Sequence, residues 1–276
     1  NDRETVIATV LSGGFDRGVS RPVPWGAAEL DSMARMGRDN GGRITRAVHA
    51  DMGKPPAETV LMEIDMLMHE IRFVKPRMRM WAARHHKAAP ILMQPARTWT
   101  HARPQGVVLV ISPWNYPLLL SLQPMVDAIA AGNCVCLKPS ELAPQTSRLL
   151  AELVPRYLDP RAVAVVEGDA GTATRLLSQS FDHVFYTGSG RVGKIVMHAA
   201  AEHLTPVTLE LGRKSPVLAD GSTLVIGAPR PTAYGRFTNA GAPYLPPDYL
   251  PSTPACRYPA PNATCRPRRV PSRAPP

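Results

Sequence analysis

Residues Gly188-Ser189-Gly190-Arg191-Val192-Gly193 join a β-branched run to a helical pattern. Glycines in that setting let the backbone approach a pyrophosphate, and the N–H groups that open the helix attract its charge. An ordinary strand-to-helix turn is the alternative. Lys138-Pro139-Ser140-Glu141 ends an earlier run. Its Lys donor and Glu acceptor, fixed by Pro139, suit two neighbouring ribose hydroxyls, whereas the bland reading is a charged loop. In Ser112-Pro113-Trp114-Asn115-Tyr116-Pro117, two prolines bracket an amide. A preorganised amide donor is what an oxyanion needs, although Asn115 could equally satisfy backbone groups in a turn. Glu210 stands at another strand end. There a carboxylate serves as ribose ligand, as general base, or as a solvated charge.

The elements that must position these residues are legible in apolar patterning. Short β-branched runs occur at 106–112, 133–139, 162–168, 183–188 and 206–212. Between them apolar residues recur at helical spacing, as in Leu149, Leu150, Leu153 and Val154, or Val192, Ile195, Val196 and Ala199. Strands joined by crossover helices pair in parallel, so the pattern predicts an α/β fold with a doubly wound parallel sheet, its ligand at the carboxyl ends of the strands.

The first 90 residues read as helices. Thr5 to Phe15 is weakly amphipathic, and Ala27 to Ala50 should break at Gly41-Gly42. Pro56 to His85 carries Val60, Ile64, Leu67, Ile71 and Val74 on one stripe, with a kink expected at Pro76. Met62, Met66, Met68, Met78 and Met80 are read as a packed core face rather than a soft binding surface. From Lys87 to Gln105 the helical period stops, and the alternation at Thr98-Trp99-Thr100-His101 fits a strand or hairpin arm outside the main sheet.

Composition narrows the class. With 276 residues, 44% of them apolar, the chain can bury a substantial core. No charged-then-apolar leader follows the start and no apolar run of about 18 residues occurs, so a soluble, cytoplasmic protein without membrane contact is expected. The net charge of +10 would suggest a polyanionic partner. However, five of those charges, Arg257, Arg266, Arg268, Arg269 and Arg273, lie in the last 26 residues, where no Asp or Glu occurs. That tail also holds eight Pro and is read as disordered. Apart from Tyr258 it lacks the interleaved aromatics of a single-strand binder, so no nucleic acid is expected. Cys134 and Cys136 share a face of one strand and read as core, while Cys256 and Cys265 have no partners at metal-ligand spacing; no metal site is assigned.

Taken together, SPWNYP, LKPSE, FYTGS with Val192-Gly193, and LELGRKSP resemble the aldehyde dehydrogenase superfamily, in particular its class 3-like branch of coniferyl and fatty aldehyde dehydrogenases. The likeness runs from about Asp16 to Asp220, includes DMGKPPAE at 51–58, and resumes at GRFTNAG at 235–241. The resemblance implies oxidation of an aldehyde to a carboxylic acid with NAD, NADP being the second choice. By it Asn115 would be the oxyanion donor and Glu210 the general base that activates water on a thioester. Lys138 and Glu141 would hold the adenosine ribose, Ser189 would contact the pyrophosphate, and Gly188, Gly193, Ser112 and Trp114 complete the expected cofactor contacts. The implied organisation is N-terminal helices (1–90), an extended arm (91–105), an NAD(P)-binding domain (106–209), a remnant of a catalytic domain (210–250) and the tail (251–276).

Three departures follow. The family nucleophile is a Cys three residues after the Gly of FxNAG, and Tyr244 stands there. A thiolate attacks carbonyls near neutral pH and leaves readily, whereas a Tyr with pKa about 10 does neither well. Arg213 replaces a family Gly beside the base. The family's later segments, including its oligomerisation strand, have no counterpart, and the irregular stretches 224–234, 242–246 and beyond Leu250 read as reading-frame slips. The chain is therefore expected to be truncated and catalytically deficient, with a non-catalytic nucleotide-binding or oligomer-modulating protein as the alternative.

Overall fold

The structure, a computed structural model, describes residues 2–212, 215–216, 234–241 and 247–249. The chain divides into two units, Asn1–Leu211 and Gly212–Pro276. The first begins with α1 (Asp2–Asp16), α2 (Val23–Asp39) and α3 (Gly41–Met52). Asn40 separates α2 from α3, at the break that Gly41-Gly42 predicts. Then follow α4 (Pro56–Thr59), a π-helical turn (Val60–Ile64), α5 (Asp65–Val74), a 3-10 turn at Lys75–Arg77 and α6 (Met78–Trp81). Pro76 lies inside the 3-10 turn, as its missing N–H requires.

Two expectations in this region fail. The helical stretch stops at Trp81, and His85 already belongs to a strand, β1 (His85–Lys87), which pairs antiparallel with β2 (Thr98–Thr100) as a separate two-stranded arm. Nor do the methionines share one core face. Met78 is buried, but Met66 and Met80 are exposed. The π-helical and 3-10 turns change the rotation per residue, so a stripe drawn at one period does not stay on one side.

The main sheet is formed by β3 (Val107–Ile111), β4 (Cys134–Lys138), β5 (Val163–Val165), β6 (His183–Gly188) and β7 (Val207–Leu211). All four pairings are parallel, in the order β5-β4-β3-β6-β7. The connections are α7 (Leu119–Ala130), α8 (Pro144–Tyr157), α9 (Ala170–Leu177) and α10 (Gly190–Ala201). Right-handed crossovers put α7 and α8 on one face, where α2, α3 and α5 stack outside them, and α9 and α10 on the other face beside α1. Every residue of β3 and β4 is buried, which explains why they read as unbroken apolar runs. Cys134 and Cys136 are free thiols within that core.

The strands are laid down outward from β3 in opposite directions, through β4 to β5 on one side and through β6 to β7 on the other, which makes this point the topological switch of the sheet. The strands start from a fixed line. Asn133 Oδ1 accepts from the Gln105 and Gly106 N–H groups at 2.7 and 3.0 Å, and its Nδ2 donates to Ala128 O at 3.1 Å. Asp182 Oδ2 accepts from the Val107 N–H at 2.7 Å. These bonds set the amino edge, so the register carries through to the carboxyl edge.

In the second unit, β8 (Ser215–Pro216) pairs in parallel with β9 (Pro247–Tyr249). GRFTNAG is ordered, and within its turn Thr238–Gly241 both Asn239 and Ala240 have positive φ, 58° and 54°. Left-handed backbone at an Ala is strained by about 1–3 kcal/mol. Arg213, Tyr244, Cys256, Cys265, the stretches 224–233 and 242–246, and the tail lie outside the described residues.

Candidate functional site

Register places the candidate residues at the carboxyl edge of the sheet. Ile111 pairs with both Lys138 and Tyr186, and Thr187 and Gly188 pair with Glu210 and Leu211. The turns that leave β3, β4 and β6 therefore come side by side with the carboxyl end of β7, two of them flanking the switch point. Lys138, Asn115, Gly188, Ser189 and Glu210 all sit on or just beyond this edge.

Lys138 is buried at the end of β4, and its Nζ donates to Glu141 Oε2 at 2.5 Å. Glu141 is more exposed. Burial raises its carboxyl, but the bonds from Lys138 and the backbone outweigh this and hold it below the ordinary carboxylate range. The pair presents one cationic donor and one carboxylate acceptor from a single turn.

Next to it, the β3 turn is held from within. Ser121 Oγ donates to Pro117 O at 2.6 Å, so the 2.7 Å contact between the Ser112 and Ser121 hydroxyls has Ser112 as donor. The Ser112 side chain, expected at the cofactor, is thus directed into the fold, and its N–H donates to Lys138 O at 3.2 Å. Trp114 is exposed. Asn115 Oδ1 accepts from the Tyr116 N–H at 3.2 Å, which fixes the rotation of the amide.

The glycines of the third turn divide between two roles. A Cβ on Gly188 would lie 2.2 Å from the Tyr186 hydroxyl, so only Gly lets the Tyr186 ring fold back on the turn. Gly193 is buried, and a Cβ there would press on Leu211 at 3.0 Å; it brings α10 close to β7 instead of lining a ligand cradle. Ser189 is the N-cap of α10, its Oγ accepting from the Val192 N–H at 3.4 Å. Glu210 is exposed on β7.

The four crossover helices differ at their N-termini. Glu63 Oε2 accepts from the Leu118 and Leu119 N–H groups that open α7, at 2.8 and 3.1 Å. Asp51 accepts from the Gln145 and Thr146 N–H groups that open α8, at 2.9 and 2.8 Å. Asp169 caps α9, accepting from the Thr172 N–H at 3.0 Å. Only α10 among them is capped by a neutral group, and so it retains its attraction for an anion. Asp51, Glu63 and Lys54, whose Nζ donates to Glu63 Oε1 at 2.6 Å, are not singled out by sequence reasoning. Their positions in DMGKPPAE and the following helical stretch read as a motif without a role.

Among the described residues, no three His, Cys, Asp or Glu come together to hold a metal ion, and no helix is long and apolar enough to cross a membrane.

Residues 21–242 match the aldehyde dehydrogenase family. Aldehyde dehydrogenase family 3 member H1 of Arabidopsis thaliana is 42% identical over 248 residues, 90% of this chain and 51% of that protein. The dimeric NADP-preferring aldehyde dehydrogenase of Mus musculus is 42% identical over 236 residues, 86% of this chain and 52% of that protein. Among solved structures, the substrate-bound state of Staphylococcus aureus AldH superposes with a TM-score of 0.90 at 31% identity, covering 95% of this chain and 57% of that one. The Mycobacterium tuberculosis aldehyde dehydrogenase complexed with NAD+ superposes with a TM-score of 0.82 at 26% identity, covering 93% and 53%. The chain spans about half the length of the curated relatives it matches. A family match over residues 21–242, most of the chain, means that the chain belongs to the aldehyde dehydrogenase family.

Proposed function

We propose that this chain provides the dinucleotide-binding half of an NAD-dependent oxidation of an aldehyde to a carboxylic acid, with NADP as the alternative cofactor. The observation that supports it is the meeting of the β3, β4 and β6 turns at the switch-point edge, where, among the described residues, α10 is the one crossover helix without a carboxylate on its first N–H groups. The donor set fits the group. Lys138 and Glu141 offer one donor and one acceptor for a ribose diol, the Gly188-Ser189 turn leads into the α10 N-terminus for a pyrophosphate, and Trp114 offers an exposed ring at the same edge. Glu141 repels a 2′-phosphate, which favours NAD.

When bound, NAD supplies a hydride acceptor. On the family's route a thiol adds to the carbonyl and water later releases the acid from the thioester; there Asn115 would donate its amide to the oxygen as negative charge develops, and Glu210 would be the general base toward that water. Tyr244 stands where the family carries its thiol nucleophile, so the chain as written binds nucleotide without turning over aldehydes efficiently. An aldehyde as the small-molecule substrate and a cytoplasmic location belong to the same reading.

Thermal melts with and without saturating NAD, beside an absorbance assay for NADH with an aromatic aldehyde, test both parts. The expected result is a melt that rises with NAD while no NADH forms. An unmoved melt would defeat the nucleotide site, and NADH formation would defeat the assignment of Tyr244 as disabling.

A further inference from the structure

The motif Asp51–Glu58 lies on the helical layer, yet its side chains and that of Glu63 reach the starts of two sheet-crossing helices. Neither α7 nor α8 caps itself. The residues at their N-caps, Leu118 and Ala143, carry no acceptor, whereas α9 and α10 use their own Asp169 and Ser189. The two missing caps come from one segment, 51–63. Asp51 takes the Gln145 and Thr146 N–H groups and the Thr146 hydroxyl, the last at 2.7 Å. Glu63 takes those of Leu118 and Leu119. The π-helical turn Val60–Ile64 adds a residue to the helical repeat and turns Glu63 fully inward.

Lys54, also fully buried, completes the arrangement. Its ammonium bonds Glu63 and lies 4.4 Å from the centre of the Tyr116 ring. Tyr116 is the residue whose N–H orients the Asn115 amide. A buried ion pair contributes little net stability, because desolvating two charges offsets their attraction. What it delivers is a fixed position for the groups around it.

We propose that Asp51 and the Lys54–Glu63 pair are positioning residues for the two edge turns: Glu63 and Lys54 fix the turn that carries Asn115, and Asp51 fixes the Lys138–Glu141 turn. The proposal rests on the dinucleotide and aldehyde reading of those turns. It assigns separate tasks to the two anchors, which a general contribution to stability does not.

The test uses the full chain labelled with 15N. Hydrogen exchange is followed at the Leu118, Leu119, Gln145 and Thr146 amides, together with the Asn115 side-chain resonance and NAD affinity by titration. Asp51→Ala is expected to speed exchange at Gln145 and Thr146 by about tenfold and to weaken NAD by about threefold or more, leaving Asn115 and the α7 amides unmoved. The double variant Lys54→Met/Glu63→Gln removes both charges while keeping an acceptor. It is expected to shift the Asn115 resonance and to speed exchange at Leu118 and Leu119, with NAD affinity within about twofold of the parent.

Faster exchange spread evenly over both helices and the sheet, or variants that leave their own turn unchanged, would overturn the proposal. If NAD moves neither the Gly188 nor the Ser189 amide in the parent chain, the dinucleotide reading fails, while the Asn115 signal still reports on positioning. Should Asp51→Ala not fold, Asp51→Asn, which keeps one acceptor, is read in the same way.

Discussion

At Gly188 a single hydrogen in place of a methyl decides the shape of a turn. The Tyr186 hydroxyl and ring carbon stand 2.2 and 2.7 Å from where a Cβ would sit, and Tyr186 itself is buried. Gly188→Ala must therefore displace the ring, and it is expected to lower stability by about 1–3 kcal/mol in urea denaturation and to weaken NAD binding. Two residues on, a Cβ at Gly190 meets nothing within 4 Å. Gly190→Ala is expected to change stability by less than about 0.5 kcal/mol, which makes it the matched control. Sequence reading recognises both glycines as part of one fingerprint but cannot separate them, because what distinguishes them is a ring two residues upstream. The same holds for Ser189 and Gly193, whose places in the motif point to a ligand while their side-chain space is spent on capping and on helix packing.

The strands of the main sheet are legible because burial on both faces leaves β-branched runs with no polar alternation, as in Val107–Ile111 and Cys134–Lys138. The helical layer is less so. A Glu inside an apolar stripe reads as a solvated face, and nothing in the spacing of Lys54 and Glu63 shows that both are fully buried. Irregular turns defeat a fixed period in the same region, which is why the methionine stripe splits and the helix ends before His85. A comparable side-chain anchor works at the other edge of the sheet, where Asn133 joins the loop before β3 to the end of α7 through three bonds. Asn133→Ala leaves buried backbone groups unpaired, and a loss of about 2–4 kcal/mol is expected in urea denaturation. Because this anchor lies away from the carboxyl edge, the NAD affinity of the folded fraction should stay at the parent value.

Across the whole molecule, opposing carboxyl groups shape the response to pH. Asp127 lies on the wall of a cleft of about 750 Å³ lined also by Phe15, Arg21, Trp81 and Arg103. Although accessible on its surface, it is shielded by those walls, and burial, then the nearby Glu70 charge, pushes its carboxyl up to about 6. Unfolded, the same group has a pKa of about 3.9. Between those values the folded state binds more protons, so Asp127 makes stability fall as pH rises through that window and then level off. Glu29, raised by burial, acts in the same direction. Glu4, held below its ordinary value by Arg175, and Asp159, held low by Arg161, act oppositely: the stability they add is lost as pH falls through their folded values. Asp127→Asn is accordingly expected to melt above the parent at pH 8, with the difference vanishing near pH 4, in melts run across that range.

The layer of N-terminal helices ties itself to residues made much later. Glu4 bonds Arg175, Ser20 bonds Gly132 O, Arg43 bonds Glu152, and Glu63 waits for Leu118 and Leu119. Contacts so distant along the chain slow folding, since a long loop must close before any of them forms. During synthesis at roughly 5–20 residues per second, the apolar faces of α2 and α5 emerge several seconds before the helices α7 and α8 that cover them. The newborn chain therefore spends that interval as an exposed helical surface, at its most vulnerable to aggregation, before the first edge turn exists.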